Sequence, residues 1–480
     1  MRFISTRGEA PPLSFEGALL AAMARDGGLL VAEAWPRLPP AEISALAGLD
    51  YADAAYRVMR PYLEDDPCLP DLEAVLEDAY GSFHHPAVVP LRQIGPNSFL
   101  LELFHGPTLA FKDIAMQVVA RLMNRALLRK GAHATVIGAT SGDTGAAAIE
   151  AFRGLDAIDI FILHPKGRVS DVQRRQMTTA TDANVHNIAL EGTFDDCQSV
   201  VKALFADAKL RDPLGLTGVN SINFARILAQ IPYYFTAAVS LGAPHRAVAF
   251  AVPTGNFGDI FAGYAAREMG LPVARLVIAT NLNDSLPRTL ASGVYEPRGV
   301  IATSSPSMDI QLASNFERLL FELAARDAPR VRALMEELRK TGAFRLNDAE
   351  LASLRGLFAA HSVGEHETEM TIRWLAEETG IIADPHTAVG VAASREEGGL
   401  GATPMVVLAT AHAAKFPELV ERATGRMPEQ PERLRLRLGQ HERCAVLPND
   451  YAAVADFITR NARAGSSTKK AQSRRAGVGA

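Results

Sequence analysis

One lysine of the sequence stands where a positive charge is electrostatically disfavoured. Lys112 follows the segment 105–111 (HGPTLAF) and opens a predicted helix, and the first turn of a helix carries positive partial charge. The neighbouring residues are small or apolar, so the surroundings favour the neutral amine over the ammonium ion. A neutral lysine amine can attack an aldehyde and form a Schiff base. A surface lysine is the alternative interpretation, and Asp113 has a simple role in complementing the helix dipole.

Two glycine-rich loops have the composition of anion-binding turns. Residues 138–145 read GATSGDTG and residues 253–259 read PTGNFGD, and each loop lies between a predicted strand and a predicted helix. Backbone N–H groups at such a position bind carboxylate or phosphate. Helix capping by Ser141, Asp143 or Thr144 is the alternative for the first loop, and a structural turn is the alternative for the second. Neither loop has the GxGxxG or GxxxxGK[ST] spacing of a nucleotide site.

The elements that must position these residues alternate between strands and helices. The predicted strand and helix pairs are 98–103 with 113–129, 134–137 with 144–152 and 247–252 with 259–269, and further strands are 159–163, 275–279 and 405–409. This repetition predicts an α/β fold with parallel sheets and helices on both faces. Ligands of such sheets bind at the carboxyl ends of the strands, where the loops lie. Gly131, Gly154 and Gly270 are placed as C-terminal helix caps.

Three other parts of the chain have a different texture. Residues 1–95 are predicted to be mostly helical, with helices at 15–24, 41–47, 50–63 and 72–80. Residues 307–380 are also predicted to be helical, with amphipathic segments at 330–341 and 351–361. Residues 466–480 are polar and basic without apolar periodicity, which predicts a disordered tail. A solvated tail is favoured there over a nucleic-acid-binding one.

Bulk properties exclude several classes of protein. The 480 residues suggest two to four structural units, and a net charge of −5 gives no general basic field for nucleic acid. The three cysteines are Cys68, Cys197 and Cys444; their wide spacing argues against disulfides or a zinc site and fits a reducing compartment. No apolar run of membrane-spanning length and no secretory signal are found, so we expect a cytoplasmic enzyme. The oligomeric state is not indicated.

The lysine segment and the two loops, in this order, resemble threonine synthase, a family of fold-type-II pyridoxal-phosphate enzymes. The further segments that carry the resemblance are 4–8 (ISTRG), 25–29 (RDGGL), 220–223 (NSIN), 307–310 (SMDI), 314–318 (SNFER) and 409–416 (ATAHAAKF). It covers roughly residues 1–460 and implies a tryptophan synthase β-like fold. Residues 1–95 would form a helical N-terminal domain, and residues 96–460 a catalytic region of two α/β subdomains with a helical insertion at about 307–380. The basic tail 461–480 falls outside.

The resemblance also implies a role for individual residues. The residues assigned to pyridoxal 5′-phosphate are Lys112, Asp143, Gly255, Asn256, Phe257, Gly258, Asp259 and Thr410. Among them Lys112 would form the Schiff base, the backbone of 255–259 would bind the phosphate, and Thr410 would lie by the pyridine nitrogen. Asp143 stands where related enzymes have an asparagine beside the phenolic oxygen.

The substrate of this family is O-phosphohomoserine. Thr140, Ser141 and Thr144 are assigned to its carboxylate. Asn220, Ser221 and Arg226 are assigned to its phosphate, for which the arginine is a suitable bidentate clamp. An ordinary helix arginine is the alternative for Arg226. The partners expected are therefore small molecules, with neither nucleic acid nor membrane.

The implied reaction is that of a carbon–oxygen lyase acting on a phosphate ester, the last step of threonine biosynthesis. O-Phospho-L-homoserine and water would give L-threonine and phosphate by γ-elimination and β-hydration, with Lys112 as the base at the α-carbon. A phospho-lyase or dehydratase of the same fold, releasing 2-oxobutyrate, is one alternative. Another is a non-catalytic protein that binds a phosphorylated ligand. A nucleotide-binding Rossmann enzyme is a third, although its glycine and acidic signature is not found.

Overall fold

The computed structural model describes residues 1–140, 142–218, 221–398 and 401–463. The chain divides into two compact units. The first contains residues 1–115 and 221–429, and the second contains the described residues of 116–220 and 430–480. The division at residue 115 falls inside one long helix, Lys112–Arg129.

The described residues form strands and helices that alternate through most of the chain. The strands are β1 (Phe3–Ser5), β2 (Leu30–Ala32), β3 (Leu91–Gly95), β4 (Ser98–Glu102), β5 (Ala134–Ala139), β6 (Ile158–Pro165), β7 (Val185–Glu191), β8 (Leu216–Gly218), β9 (Val248–Pro253), β10 (Val273–Thr280), β11 (Val294–Tyr295), β12 (Phe344–Arg345), β13 (Phe358–Ser362), β14 (Met405–Ala409) and β15 (Ala445–Pro448).

The α-helices are α1 (Phe15–Ala21), α2 (Pro40–Ser44), α3 (Tyr51–Met59), α4 (Leu69–Tyr80), α5 (Lys112–Arg129), α6 (Asp143–Phe152), α7 (Asp171–Thr178), α8 (Phe194–Ala206), α9 (Ala208–Leu214), α10 (Phe224–Leu228), α11 (Ile231–Ser240), α12 (Gly258–Glu268), α13 (Ser285–Ser292), α14 (Phe316–Leu323), α15 (Ala328–Thr341), α16 (Asp348–Leu357), α17 (Glu365–Thr379), α18 (Pro385–Glu397), α19 (Pro417–Thr424), α20 (Glu432–Leu438) and α21 (Tyr451–Asn461). Short 3₁₀ turns occur at Arg60–Tyr62, Pro306–Met308 and Ala413–Lys415.

The sheet of the first unit has the strand order β13-β10-β9-β14-β4-β3. All neighbouring pairs are parallel except β3 with β4. Strand β9 is buried along its whole length, as expected for a parallel strand covered on both faces. Ala251 packs in the core with Val389 of α18 on one face, while on the other face the ring of Phe250 lies 4.8 Å from that of Tyr234 in α11.

Strand order brings three predicted loops to one edge of this sheet. Strands β9, β14 and β4 are adjacent and parallel, so their carboxyl ends lie side by side. The segment leading to Lys112 follows β4, the glycine loop of 254–258 follows β9, and Thr410 follows β14 directly. The fold therefore gathers these three sequence-predicted elements at the edge where ligands of open α/β sheets bind.

The sheet of the second unit is parallel throughout and has the order β15-β7-β6-β5-β8. Phe161 and Ile188 of neighbouring strands form its core with Leu204 of α8 and Ile458 of α21. Strand β5 leads into the first glycine-rich loop of the sequence analysis, that of residues 138–145, which ends at α6. The predicted alternation of strands and helices is thus confirmed in both units.

The prediction of a mostly helical region over residues 1–95 was too simple: helices α1 to α4 lie there, but they cover less than half of the residues, and the region also contains the antiparallel strand pair β1 and β2 and the strand β3. The prediction of a helix over 351–361 was wrong at its end. Helix α16 ends at Leu357, and residues Phe358–Ser362 form the edge strand β13 paired with β10. The buried pair Phe358 and Ala359 completes the sheet core there, a gain that the helical periodicity of the local sequence does not reveal.

Several local predictions concern chain ends and caps. Gly131, Gly154 and Gly270 all have positive φ just beyond a helix, in agreement with their placement as caps. Of the predicted basic tail, residues 464–480 lie outside the described residues. Arg463 donates to the buried carboxylate of Asp159 at 2.6 Å. Within the described ranges, no helix combines the length and apolarity needed to cross a membrane.

Candidate active site

The segment before Lys112 is locked by a buried carboxylate. Asp113 is fully buried and accepts hydrogen bonds from the backbone N–H and the hydroxyl of Thr108, both at 2.7 Å. Gly106 lies so close that a Cβ there would come within 2.5 Å of the Asp113 Cβ. Leu109 adopts a left-handed conformation with φ of 62°, which is strained for a branched residue. This tight turn fixes the start of α5 and hence the direction of Lys112.

Lys112 is a largely buried side chain at the first residue of α5, as the sequence predicts. Its Nζ donates to the hydroxyl of Ser307 over 3.4 Å and lies 4.8 Å from the centre of the Phe111 ring. The backbone of the same segment pairs with the end of β14, since Phe111 donates to the carbonyl of Thr410 at 2.9 Å. A lysine amine that is largely buried at a helix N-terminus is suited to the neutral, nucleophilic form.

The loop after β9 offers backbone donors that have no acceptor among the described residues. Within the described part of the chain, the N–H groups from Gly255 to Ile260 donate no hydrogen bond. Phe257 is left-handed with φ of 64°, and such a reversal turns successive N–H groups toward one point. A Cβ on Gly255 would approach the carbonyl oxygen of Ser307 to 2.9 Å. The loop and the start of α12 therefore form a cradle that fits a phosphate group.

Asp259 lies under this cradle, and its side chain is enclosed. Its Oδ1 accepts from the hydroxyl of Tyr233 at 2.5 Å and from that of Tyr234 at 2.9 Å. Its Oδ2 is buried and has no hydrogen-bond partner among the described residues. Burial raises the pKa of this carboxyl from 3.8 to about 6, and the two tyrosines and Lys112 offset only part of that rise. The sequence assigned Asp259 through its backbone alone.

A buried asparagine joins the phosphate cradle to a second loop. Asn315 donates from its backbone and its side-chain amide to the carbonyl of Asn256, at 3.0 and 2.9 Å. The same amide donates to the carbonyl of Ser221 at 3.3 Å. Arg318 in turn donates to the Oδ1 of Asn315 and to the carbonyl of Ile222. The segment 314–318 carries part of the family resemblance, but the sequence alone indicates no role for it.

Arg226 is a buried guanidinium that has no counter-ion among the described residues. It is 6% exposed, and its Nε and Nη1 have no acceptor among the described residues. Burial lowers its pKa to about 10. Helix α10, which carries it, packs against α12 below the phosphate cradle, and the Arg226 carbonyl accepts from Gln230, which Tyr233 also contacts. A buried, unpaired cation is costly unless an anion binds to it, so this arginine fits an anionic ligand.

Thr410 and its neighbours complete the edge beside Lys112. The Thr410 side chain is 5% exposed, and its hydroxyl makes no hydrogen bond within the described ranges. It is therefore open to a polar atom of a ligand. Lys415, in contrast, is fully buried and donates to the carbonyl of Thr108 at 2.9 Å, so it supports the turn before Lys112. The Nδ1 of His412 accepts from the backbone of Ala414.

The glycine loop of the second unit is shaped by its own side chains. The hydroxyl of Thr140 accepts from the N–H groups of Gly142 and Gly145, at 3.0 and 2.9 Å. This oxygen therefore folds the loop, a use that the assignment of Thr140 to a substrate carboxylate did not include. Asp143 is buried and accepts from Gln173 at 2.9 Å, and a Cβ on Gly142 would collide with Gln173 at 2.4 Å.

The remaining assigned residues differ in how far the structure describes them. Thr144 is half-buried in the first turn of α6. Ser221 lies in the short turn before α10, and its carbonyl accepts a hydrogen bond from the side-chain amide of Asn315. Ser141 and Asn220, two predicted substrate residues, lie outside the described residues. Gln173, Asn315 and Ser307 had no assignment from sequence, because each contacts the loops through the fold and not through neighbouring positions.

Comparison with known proteins agrees with this site. The protein-family model described as "Pyridoxal-phosphate dependent enzyme" matches residues 87–411. Two further family models match: "Threonine synthase N terminus" over residues 2–80 and "Threonine synthase, C-terminal" over residues 387–458. The threonine synthase of Pseudomonas aeruginosa is 51% identical over 466 residues, covering 97% of this chain and 99% of its own.

Solved structures give the same result. The crystal structure of PLP-bound threonine synthase from Brucella melitensis is 53% identical and has a TM-score of 0.95, over 96% of this chain and 100% of that one. The crystal structure of yeast threonine synthase is 38% identical, with a TM-score of 0.91 over 96% and 98% of the two chains. The chain, with its helix-opening lysine and its phosphate cradle on one sheet edge, thus belongs to the threonine synthase family of pyridoxal-phosphate-dependent enzymes.

Proposed function

We propose that the chain converts O-phospho-L-homoserine and water into L-threonine and phosphate, the last step of threonine biosynthesis. Family membership supports the reaction class, and one observation carries the choice of a phosphorylated substrate. Arg226 is a buried guanidinium with two nitrogen atoms that no described residue accepts from. The phosphate cradle at Gly255–Asp259 accounts for one phosphate, that of the cofactor. Arg226 supplies a separate cation for a second phosphate, that of the substrate.

The chemical groups of the residues that would hold the cofactor match the groups of pyridoxal phosphate. Pyridoxal phosphate, when bound, supplies an aldehyde for Lys112 and an electron sink for negative charge at the substrate α-carbon. The N–H groups from Gly255 to Ile260, which donate no hydrogen bond within the described residues, would hold the phosphate. The hydroxyl of Thr410 would meet the pyridine nitrogen, and a hydroxyl does not protonate that ring as a carboxylic acid would. Asp143 is assigned to the phenolic oxygen, with Gln173 fixing its orientation.

The chain's own groups divide the remaining work between them. Lys112, once its amine is free, takes the proton from the substrate α-carbon as a general base, and its position beside Ser307 aims it. Arg226 balances the charge of the departing phosphate, and we place Ser221 and Asn220 with it. We assign the loop of Thr140, Ser141 and Thr144 to the substrate carboxylate.

The proposal extends to the location of the enzyme. We place it in the cytoplasm, on the ground that its three cysteines, Cys68, Cys197 and Cys444, form no disulfide. Cysteine-containing proteins without disulfides are typical of reducing compartments. The partners we propose are the small-molecule substrate and the cofactor.

Product analysis separates this reaction from the nearest alternative. Purified protein supplied with pyridoxal phosphate and O-phosphohomoserine is expected to release phosphate and L-threonine in equal amounts, and the release is expected to require the cofactor. A phospho-lyase would instead release phosphate with a 2-oxo acid, which a lactate dehydrogenase-coupled assay detects. Phosphate release with a 2-oxo acid and no threonine contradicts the proposal.

A further inference from the structure

A buried carboxylate–imidazole pair lies in the first unit without a part in the reaction described so far. Asp384, which is fully buried, caps α18 by accepting from the backbone N–H of His386 and of Thr387, both at 3.0 Å. Its Oδ2 also lies 2.7 Å from the Nδ1 of the His386 ring. The ring is 3% exposed and packs against Phe416, with ring centres 5.1 Å apart. Capping explains the carboxylate but not the imidazole.

The hydrogen bonds of His386 determine which nitrogen carries its proton. The carboxylate of Asp384 can only accept, so the Nδ1 of His386 must donate to it. On the other side of the ring, the Nε2 of His386 faces the backbone N–H of Ser307 at 3.3 Å, and that group can only donate. The Nε2 therefore holds a lone pair. The geometry assigns His386 as a neutral imidazole in the Nδ1–H tautomer.

Ser307, whose backbone donates to this imidazole, contacts both Lys112 and the phosphate cradle. Its hydroxyl accepts from the Nζ of Lys112 at 3.4 Å. Its carbonyl oxygen lies against Gly255, where an added Cβ would come within 2.9 Å. Ser307 belongs to the 3₁₀ turn Pro306–Met308, a short element whose hydrogen bonds are weaker than those of an α-helix. The hydrogen bond from the Ser307 N–H to His386, which lies outside the turn, therefore helps to hold the turn in place.

We propose that Asp384 and His386 are positioning residues that fix Ser307 between Lys112 and the phosphate cradle. His386 acts through the Ser307 backbone, and Asp384 acts by holding His386 in the tautomer that accepts. The serine hydroxyl, so fixed, aims the lysine amine at the reacting carbon. This inference rests on the proposed use of Lys112, and it adds that the lysine is aimed by a group nearly 200 positions away in sequence.

Replacing the imidazole in two ways tests this arrangement. His386→Phe keeps an aromatic ring against Phe416 and removes the acceptor, whereas His386→Gln can return an acceptor near the position of Nε2. His361→Phe is the matched control, because His361 of strand β13 also pairs with a carboxylate, that of Glu397 in α18, at 2.9 Å. Ser307→Ala removes the hydroxyl alone and covers the case in which His386→Phe does not fold.

The measurements are kcat and KM at saturating cofactor, and the visible absorption band of the lysine-bound cofactor. We expect His386→Phe to lower kcat about 10- to 100-fold with a smaller change in KM, since displacing a reacting group by about 1 Å has such an effect. We expect a shifted band in His386→Phe and Ser307→Ala, with recovery in His386→Gln.

Each other outcome overturns one defined statement. Wild-type kcat and band in His386→Phe, or in Ser307→Ala if the first does not fold, contradict the positioning role. Equal losses in His361→Phe show that the effect is general destabilisation and also contradict it. Wild-type protein without any borohydride-sensitive band contradicts the proposed use of Lys112 itself, a failure that is recognisable before any variant is compared.

Discussion

The side-chain amide of Asn315 donates to the carbonyl oxygen of Asn256 at 2.9 Å, from a site with no solvent exposure. The same amide reaches the carbonyl of Ser221. One side chain thereby fixes the spacing between the cradle for the cofactor phosphate and the loop proposed for the substrate phosphate. Because both phosphates must be held at once for elimination to occur, this spacing is expected to matter for binding as well as stability.

Asn315→Ala is expected to weaken cofactor binding. Removal of the amide leaves two carbonyl groups without this buried donor, at a cost of about 1–3 kcal/mol for an unsatisfied buried group, which corresponds to about 10-fold or more in affinity. Titration of the apo protein with pyridoxal phosphate, followed by absorbance, measures the change. Asn347→Ala is the control: Asn347 caps α16 by accepting from Glu350 at 2.9 Å, and its loss is expected to leave the titration unchanged. Unaltered affinity in Asn315→Ala contradicts the linking role.

Lys112→Ala is expected to abolish the imine. Wild-type protein with pyridoxal phosphate should show a near-visible band that borohydride bleaches, with the reduced cofactor attached to a peptide containing Lys112. The alanine variant should show neither the band nor the adduct, since the amine that forms the Schiff base is missing. Lys166→Ala serves as the control, because Lys166 is an exposed residue paired with Glu191. A reducible imine that persists in Lys112→Ala would assign the cofactor to another lysine.

Asp259→Asn is expected to stabilise the apo protein at neutral and alkaline pH. The pKa of Asp259 is raised in the fold from 3.8 to about 6, so the fold favours the protonated acid. Stability is therefore lost as pH rises from about 4 to about 6, and above that range the buried carboxylate costs up to about 3 kcal/mol. An amide oxygen can still accept from both tyrosines without that cost.

Denaturant unfolding of both proteins near pH 8 and near pH 4.5 measures this difference. The variant should gain about 1–3 kcal/mol at the higher pH and much less at the lower one. A gain that is equal at both pH values would mean that the carboxyl does not titrate in this range. A loss at the higher pH would mean that the ionised form is stabilised by a partner, and would reverse the assignment.

Arg226→Leu is expected to exchange activity for stability. The variant removes a buried cation that has no acceptor among the described residues, which can stabilise the unliganded protein by about 1–3 kcal/mol. It also removes the proposed clamp for the substrate phosphate, so kcat/KM for O-phosphohomoserine should fall by more than about 100-fold. The cofactor band should be retained. Arg267→Leu, which alters an exposed arginine paired with Glu268, should change neither property.

The stability change and the kinetic change test different statements about Arg226. Normal kcat/KM in the variant contradicts the clamp. If the unliganded variant is less stable than the wild type, the guanidinium is not an uncompensated buried charge, and its proposed affinity for an anion is contradicted. Wild-type protein should also unfold at higher temperature in millimolar inorganic phosphate, and Arg226→Leu should lose this protection, because a ligand that binds the native state stabilises it.

Much of this arrangement follows from local sequence. The position of Lys112 at a helix start, and of the glycine loop 253–259 between strand and helix, could be predicted because strands, loops and helices have their own periodicities and terminal residues. The edge strand Phe358–Ser362 could not, since its five residues join a helix directly and only the pairing with β10 distinguishes them.

The groups that surround the lysine were beyond such reasoning for a different reason. Ser307 and His386 contact each other, and Ser307 contacts Lys112, across 79 and 195 positions of sequence. The three-dimensional fold brings these distant segments together, and no local periodicity encodes which segments will meet. Thr140 illustrates the converse: the family resemblance assigned it to a ligand, and the structure adds that its hydroxyl serves the backbone of its own loop. A polar residue in a binding loop has two possible uses, and only geometry separates them.

The contacts of the Arg318 guanidinium limit how the N-terminal segment can be exchanged between members of the family. The guanidinium is fully buried and donates to the carbonyl of Leu30 in β2, to that of Ile222 and to Asn315. A fragment that lacks the first strands would leave this cation facing a vacated carbonyl, so the N-terminal segment behaves as part of the catalytic body and not as a removable appendage. Chimaeras between members of the family should keep function only when the N-terminal segment and residues 314–318 come from the same parent.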